Sequence, residues 1–267
     1  SVAVVATLLD QPDLPRLGYL GVGQVIGKYC QDHPCENVPE VKQAVHKIRE
    51  KVGNGKTKTR EQENTVVSAL KALGNTRFLD DATLQKLANI GADKNVRNRV
   101  RVAAIEALPN RCTMKWKNIL FKVLADREED SEVRIKAYLS LVACPCPHVA
   151  NQLKETLDKE TVNQVGSFIQ SHLRNLRAST DPSKLDAKAH LGQIKPRSKF
   201  PEDFRKFSFN NELSYKIDSL GVGSTLENNV IYSQNSFVPR STSLNMTMEL
   251  FGRNFNFLEL NTRVENL

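Results

Sequence analysis

The spacing of hydrophobic residues along the chain changes near residue 200. Before this point apolar residues recur at helical spacing, and after it they alternate with polar residues. The apolar members of the first alternating stretch are Phe207, Phe209, Leu213, Tyr215 and Ile217. Helical spacing predicts helices with one buried stripe, whereas strict alternation predicts strands with one apolar face. We therefore predict an α+β chain in which a helical part is followed by an antiparallel sheet.

The helical part contains a sequence motif that repeats every 32 to 35 residues. Three copies align without gaps at residues 65–73, 100–108 and 133–141, and a weaker fourth copy occupies residues 165–173. Each strong copy has alanine at its fifth position and leucine at its ninth, namely Ala69, Ala104, Ala137, Leu73, Leu108 and Leu141. A small residue lets neighbouring helices approach closely, and a leucine one turn later fills the same face. The repeat predicts an α-solenoid of stacked helix pairs over residues 1–180.

Further helices are expected between the copies of the motif, at residues 81–90 and 115–125. Breaks are predicted near Gly74, Pro109 and Pro145, because glycine and proline end helices. The glycines at positions 18, 21, 23 and 27 superficially resemble a dinucleotide-binding loop. No clear strand precedes them and no acidic partner is suitably placed, so we expect these glycines to permit close helix packing or a kink.

The alternating part is predicted to fold as antiparallel hairpins. A linker is expected at residues 181–203, because this stretch holds proline, glycine and basic residues and has little periodicity. The sheet is predicted to begin at residue 204 and to continue through residue 267, with strands at residues 207–218, 230–232, 244–250 and 255–264. Phe257 and Leu258 are adjacent apolar residues in the last strand, and a β-bulge would explain the change of face there.

One face of these hairpins is consistently apolar. Its predicted members, and our candidate lipid-binding residues, are Phe207, Phe209, Leu213, Tyr215, Ile217, Leu244, Met246, Met248 and Leu250. Two interpretations are open: the face packs on a second sheet or on the helices, or it lines a lipid cavity. Methionine and phenylalanine suit a soft, adaptable ligand, but they suit a protein core as well.

Positive charge is concentrated in the helical part. The chain has 267 residues, is 40% hydrophobic and 25% charged, and carries a formal net charge of +8. Residues 1–198 hold an excess of nine positive charges, which suits an anionic partner such as sulfated sugar or acidic receptor repeats, or is a solvated helix surface. The candidate receptor- or anion-binding residues are Lys56, Lys58 and Arg60. Nucleic acid is not expected as a partner, because no RNP-like, zinc-finger or aromatic-interleaved basic motif accompanies the charge.

Five cysteines bear on the compartment and on metal binding. Cys30 and Cys35 enclose a short loop that contains Pro34, and we expect a local disulfide between them in an oxidising compartment. The other three are Cys112, Cys144 and Cys146. With His148 they would supply zinc ligands, but a C-x-C-x-H run between prolines is a weak signal and we predict no metal site. The alternatives are buried or reactive thiols, or one bridge from Cys112 to the neighbouring repeat.

Asn245 is the acceptor residue of the sequon Asn245-Met-Thr247, and both key residues are predicted on the polar strand face, which would direct a glycan into water.

Without a nucleophile elbow, a phosphate loop or a motif-placed carboxylate pair, the sequence does not predict an enzyme. It also lacks an apolar run of about 18 residues, the length that a membrane span requires. Both ends of the sequence fall inside periodic patterns, so we expect a segment of a longer polypeptide.

Two stretches of the alternating part resemble a known family. NVIYSQNSFVPRS at residues 229–241 and LNMTMELFG at residues 244–252 are similar to the large lipid transfer protein family. That family comprises vitellogenins, apolipoprotein B, insect apolipophorins and the microsomal triglyceride transfer subunit. In it, a helical array passes into a sheet with a Pro-Arg-Ser turn and a strand that ends in Leu-Phe-Gly. The sequence of these two stretches resembles apolipophorins and the apolipoprotein-B-like egg proteins of crustaceans most closely.

The resemblance implies a fold and a function. Residues 1–180 would be the later part of the family's helical arch, and residues from about 200 would begin a sheet that walls its lipid cavity. The implied ligands are phospholipids and neutral lipids, with no other cofactor, and the implied location is extracellular, in circulating fluid or egg yolk. The implied partners are the rest of the parent polypeptide, other subunits and a lipoprotein receptor. A helical-repeat interaction module and yolk lipid storage are the alternative functions.

Overall fold

The computed structural model describes residues 2–11, 14–109, 114–195, 200–234, 236–251 and 253–264. In these ranges eleven α-helices precede four β-strands. The chain divides into two compact units, Ser1–Lys122 and Val123–Leu267. The second unit contains the sheet together with the last helices, so the helices and strands of that unit share one core.

The helices occupy the repeat region as predicted. They are α1 (Val2–Ala6), α2 (Arg16–Asp32), α3 (Pro39–Val52), α4 (Arg60–Asn75), α5 (Asp81–Ala92), α6 (Asn98–Glu106), α7 (Met114–Ala125), α8 (Ser131–Val142), α9 (Pro147–Asp158), α10 (Asn163–Ala178) and α11 (Leu185–Leu191). Short 3₁₀ turns occur at Thr7–Asp10, Pro182–Lys184 and Asp218–Leu220. Side-chain caps start several helices: Thr59 and Gln62 form a capping box at α4, and Asp80 and Asp130 cap α5 and α8.

The four copies of the motif fall in α4, α6, α8 and α10. In the three strong copies the alanines at the fifth position and the leucines at the ninth position are all buried. The prediction that these positions form the contact face of each helix is therefore confirmed.

The glycines of α2 serve close helix packing. A Cβ on Gly27 would lie 1.9 Å from the carbonyl oxygen of Asn75, and a Cβ on Gly23 would lie 2.4 Å from the carbonyl oxygen of Ala72. Both contacts are far below van der Waals distance, so α2 and α4 approach as closely as their backbones allow. This packing accounts for Gly23 and Gly27 without a nucleotide site.

A buried arginine recurs at the second position of two copies of the motif. Arg101 in α6 donates from Nε to the carbonyl oxygen of Gly91 at 3.0 Å, and Arg134 in α8 donates from Nε to the carbonyl oxygen of Leu124 at 2.9 Å. Each guanidinium thereby satisfies a carbonyl at the end of the preceding helix. The sequence analysis did not predict this role, although the equivalent positions of the two arginines were visible in the repeat.

The predicted linker contains ordered structure. Asp181 accepts from the backbone N–H of Ser183 and starts a 3₁₀ turn, which continues into α11. Leu191 and Ile194 are buried. This stretch lacks a long period because its helix has only seven residues, too few to show one.

The strands form one antiparallel sheet in the order β1-β2-β3-β4. Their bounds are β1 (Phe209–Ile217), β2 (Val222–Tyr232), β3 (Pro239–Leu250) and β4 (Arg253–Arg263). Strand β2 is much longer than the predicted 230–232. The turn between β1 and β2 is short, with Gly221 at φ +61°, and the polar residues that follow it pair with both β1 and β3. The predicted bulge is present: the pairing between β3 and β4 shifts so that Leu258 faces Met246 and Asn256 faces Thr247, which leaves Phe257 without an opposite residue.

Candidate functional site

The register of the sheet sorts its side chains into two faces, because residues directly opposite one another in neighbouring strands point to the same side. Leu213, Leu226, Met246 and Leu258 are mutually opposite across all four strands. The rows on either side continue the pattern. We call this side the apolar face; its main members are Leu213, Tyr215, Ile217, Val222, Leu226, Leu244, Met246, Met248, Leu250, Phe255, Leu258 and Leu260.

The apolar face is exposed. Leu213 is 64% exposed and Tyr215 67%, and on β4 the side chains of Phe255, Leu258 and Leu260 are exposed as well. Soluble domains ordinarily turn the apolar side of an antiparallel sheet inward and the polar side to water. Here the arrangement is reversed, and a contiguous apolar surface of this kind marks an interaction site.

The candidate lipid-binding residues predicted from the sequence lie together. Eight of them are on β1 and β3 with their side chains on the apolar face, and Phe207 precedes β1 and is half-buried. Phe209, at one end of the face, packs against Phe204 with 4.6 Å between ring centroids. Sequence reasoning missed Leu226 on β2 and the leucines of β4. Leu226 was missed because β2 was predicted too short, and β4 because its bulge interrupts the alternation.

The apolar face has a polar margin at the end near Phe209. Asn211 on β1 lies opposite Asn228 on β2, and the hydroxyls of Thr242 and Thr262 are hydrogen-bonded across β3 and β4. Amide and hydroxyl groups therefore line this end of the face, and aliphatic and aromatic side chains line the rest.

The opposite side, which we call the polar face, packs on the helices of the same unit. Lys184, just before α11, donates to Glu212 of β1 and to Glu227 of β2, each at 2.7 Å. Ser179 donates its hydroxyl to Glu212, and Asn210 donates its amide to Glu227 at 2.9 Å. Both carboxylates thus have a cation and a neutral hydrogen-bond donor, which is what buried charges require.

Helices α10 and α8 hold opposite edges of the sheet, at the end of the strands near Phe209. Asn175 of α10 donates to the carbonyl oxygen of Asn210 at 2.8 Å. At the other side of the sheet, Arg240 of β3 pairs with Asp130, and Arg263 of β4 pairs with Glu132 in the first turn of α8. The positive end of the helix dipole also stabilises acidic side chains at that position. The polar contacts therefore fix the sheet with its apolar face away from these helices.

Burial and charge shift several pKa values behind the polar face. The pKa of His172 is lowered to about 4, first because the ring is buried and also because of Lys184, while Glu227 acts in the opposite direction. The neutral ring is hydrogen-bonded through Nδ1 to the hydroxyl of Tyr138 at 2.6 Å, and burial raises the pKa of that hydroxyl. Burial works to raise the pKa of Glu227, but the charge of Lys184 and the hydrogen bonds from Lys184 and Asn210 act together in the opposite direction, and the pKa is lowered. These groups are buried and structural, and none of them lies on the apolar face.

The candidate anion-binding residues lie elsewhere, in the first unit. Lys56 and Lys58 are exposed on the loop between α3 and α4, and Arg60 is the exposed first residue of α4. Lys56 pairs loosely with Asp93, with 3.8 Å between Nζ and Oδ2. Because all three side chains are exposed, the patch is accessible to a charged partner.

Cys30, in the last turn of α2, forms a disulfide with Cys35, which lies three residues after the end of that helix. Cys144 is also disulfide-bonded, and Cys146 is free. Cys112 lies outside the described residues. Since Cys144 is oxidised, it is not a thiolate ligand for the zinc site considered above, and the described residues bring no three His, Cys, Asp or Glu side chains into a metal-binding group.

Asn245 lies on the polar face, as predicted, between Glu227 and Glu259 in the neighbouring strands. The side-chain oxygen of Asn245 is buried and has no hydrogen-bond partner. The residue as a whole is half-buried, the neighbouring Glu259 of β4 is exposed, and glycosylation at this sequon stays a prediction. Within the described part of the chain, no helix has the length and apolarity to cross a membrane.

Comparison with known proteins agrees with the two-part architecture. Residues 4–174 match the family model of the vitellogenin TPR domain, and residues 206–267 match that of the vitellinogen open β-sheet. A solved structure titled "Lipid-protein interactions in lipovitellin" superposes with a TM-score of 0.81 at 22% identity, over 99% of this chain and 29% of that chain. This match shows the shared fold.

Similarity in sequence extends over the whole chain. The apolipophorins of Locusta migratoria are 47% identical over 100% of the chain, and those of Manduca sexta are 45% identical over 100%. The vitellogenin of Penaeus merguiensis is 28% identical over 98% of the chain. This chain spans only 8% of each of the two apolipophorins and 10% of that vitellogenin.

Proposed function

This chain belongs to the large lipid transfer protein family of vitellogenins, apolipoprotein B and apolipophorins, and we propose that it is a segment of a secreted lipoprotein whose open sheet carries phospholipid or acylglycerol. The helices brace the sheet, and the lipid covers the apolar face. The segment itself carries out no catalysis in this proposal. Transport in circulating fluid is the main function, with yolk storage as the alternative.

The observation that carries the proposal is the reversed orientation of the sheet. The charged and amide side chains on the polar face of β1 and β2 contact the helices, whereas the leucines, methionines and aromatic residues of the apolar face point away from them. Burial of a methylene group is worth about 0.8 kcal/mol, so a long acyl chain gains on the order of 10 kcal/mol when it leaves water for this surface. Such a ligand needs a continuous apolar wall, which the row from Leu213 to Leu258 provides.

Lipid analysis of the full-length parent tests this proposal. We expect mass spectrometry of a detergent-free preparation to find bound phospholipid or acylglycerol. Replacement of Leu226 and Leu258 by asparagine should reduce the lipid bound per protein molecule, because two side chains at the centre of the apolar face become polar. The control is Leu17→Asn, which changes a leucine of α2 that is more exposed than either of these two, at 78% against 36% for Leu226 and 44% for Leu258, and it should leave the lipid content unchanged. A parent that contains no lipid would refute the proposal.

A second candidate function is receptor binding through Lys56, Lys58 and Arg60, which the exposure of all three side chains favours. The partner would be an acidic receptor repeat or a sulfated sugar, and its binding should weaken steeply with salt. Reversal of the three charges to glutamate should abolish this binding and leave the lipid content unchanged. Binding that survives the reversal would exclude the patch.

A further inference from the structure

Two hairpin tips lie side by side at the end of the sheet away from Phe209. The first joins β1 to β2 and contains Leu220 and Gly221; the second joins β3 to β4 and begins with Phe251. The backbone N–H of Phe251 donates to the carbonyl oxygen of Gly221 at 2.7 Å. A Cβ added to Gly221 would lie 3.4 Å from the Phe251 ring, so the ring rests against the first tip. We call Leu220, Gly221 and Phe251 the paired tips.

The paired tips expose two large hydrophobic side chains. Phe251 is 84% exposed and Leu220 is 60% exposed. Neither belongs to the core of the unit, and each leaves most of its apolar surface in water. At two adjoining tips they form an exposed apolar patch, and such a patch marks an interaction site where it continues into a larger apolar surface.

The backbone conformation at Phe251 is unusual for an aromatic residue. Its φ is +50°, in the left-handed region that is unfavourable for residues with a bulky side chain and favourable for glycine. The chain thus places an aromatic ring where the fold alone would favour glycine. A conformation of this kind, held at an exposed position, points to a role in binding.

The surroundings of the paired tips indicate the partner. The last row of the apolar face consists of Ile217, Val222 and Leu250, directly behind the tips. Arg253, the first residue of β4, is exposed and lies opposite Leu250 in the same row. An exposed aromatic ring and leucine beside an arginine, continuous with an apolar surface, match the boundary between phospholipid headgroups and acyl chains.

We propose that the paired tips dock the protein onto a phospholipid surface. Phe251 and Leu220 enter the boundary between headgroups and acyl chains, and Arg253 meets the headgroup phosphates. Lipid then passes over the row of Leu250 onto the apolar face. Only this last step rests on the proposed lipid-carrier function; docking by the tips stands apart from it.

Vesicle flotation of the full-length parent tests the docking. The vesicles consist of phosphatidylcholine with a minor fraction of phosphatidylserine. Phe251→Gly removes the ring at a position whose backbone suits glycine, so this variant keeps the fold. Because the ring's apolar surface no longer leaves water, we expect the partition constant onto vesicles to fall about ten-fold. Leu220→Ser should act in the same direction.

Phe237→Gly is the matched control, because Phe237 is 77% exposed and precedes β3 at the opposite end of the sheet. This variant should float as the unchanged protein does. Equal loss in Phe251→Gly and Phe237→Gly, or no loss in Phe251→Gly, would overturn the proposal.

Hydrogen exchange separates a lipid partner from a protein partner. Peptides that cover the paired tips should become protected when vesicles are added. Full protection of these peptides in the parent without vesicles would mean that protein covers the tips, and it would overturn the proposal. Lipid analysis and flotation of the parent and of Phe251→Gly keep the two proposals distinct. A lipid-free parent whose flotation is still lost in Phe251→Gly would refute the carrier function and leave the docking proposal intact.

Discussion

Removal of the Lys184 side-chain charge should loosen the sheet from the helices that hold its polar face. The ammonium group lies 2.7 Å from carboxylate oxygens of both Glu212 and Glu227. The side chain of Glu212 is 3% exposed, so its charge has almost no access to water. Lys184→Met keeps the aliphatic stem and leaves two carboxylates without their cation.

The expected cost follows from the partners that remain. Breaking a buried ion pair by removal of one member costs about 3 to 5 kcal/mol. Here Glu212 keeps the hydroxyl of Ser179 and Glu227 keeps the amide of Asn210, so the lower end applies, at about 3 kcal/mol. Lys184 has a raised pKa: burial lowers it, but Glu227 and Glu212 outweigh burial, so the charge is present at neutral pH.

Hydrogen exchange of β1 and β2 in the full-length parent measures this loss. Opening of the sheet from the helices should become easier, and amides of these strands should exchange on the order of 100-fold faster. The matched control is Lys188→Met, which removes a lysine of α11 whose ammonium group donates to the backbone carbonyl of Ser179 at 3.0 Å. Neutralisation of Glu212 and Glu227 to glutamine in the Lys184→Met background should restore most of the protection. Exchange in Lys184→Met that matches the Lys188 control would refute the polar network as the anchor of the sheet.

Three further predictions concern the frame that supports the sheet. His172 has a folded pKa of about 4, below its ordinary value because the ring is buried, so the unfolded chain binds a proton first on acidification. The free energy of unfolding should therefore fall by about 2 kcal/mol between about pH 7 and about pH 5. In urea titrations, His172→Gln should flatten that pH dependence. Gly27→Ala should destabilise the packing of α2 on α4 by about 2 kcal/mol or more because of the contact with Asn75, whereas Gly21→Ala, with no atom within 4 Å of the added Cβ, should stabilise α2 by about 0.5 to 1 kcal/mol; equal melting temperatures would contradict this difference. Arg134→Met should cost about 3 kcal/mol because Glu160 loses its buried partner, and Arg134→Lys should recover only part of this loss in the same denaturation assay, since one ammonium group does not bond both Glu160 and Leu124; full recovery would refute the bidentate role.

Much of the fold follows from periodicity in the sequence. Ala69, Ala104 and Ala137 recur at equivalent positions and are all buried, since a repeating helix pair needs the same small contact residue each time. The change to alternation marks the sheet, and two adjacent apolar residues, Phe257 and Leu258, mark the bulge. These features depend on neighbours close in sequence, and local patterns therefore reveal them.

The orientation of the sheet does not follow from local patterns. Alternation shows that the two faces differ, but it does not show which of them meets the helices. That choice is made by contacts such as Lys184 to Glu227 and Arg263 to Glu132, whose partners are 43 and 131 residues apart. Strand β2 was underestimated for a related reason: Asn228 and Asn229 interrupt its alternation, yet both pair with residues of β1 and β3.

We place the lipid on the outward, apolar face of the sheet. Photoactivatable phosphatidylcholine, loaded onto the full-length parent and mapped by peptide mass spectrometry, probes this placement. We expect label on Leu213, Leu226, Met246 and Leu258 and none on Glu212, Glu227 or Asn245. Label on the polar face, or a lipid-loaded parent without label anywhere in residues 209–263, would contradict it.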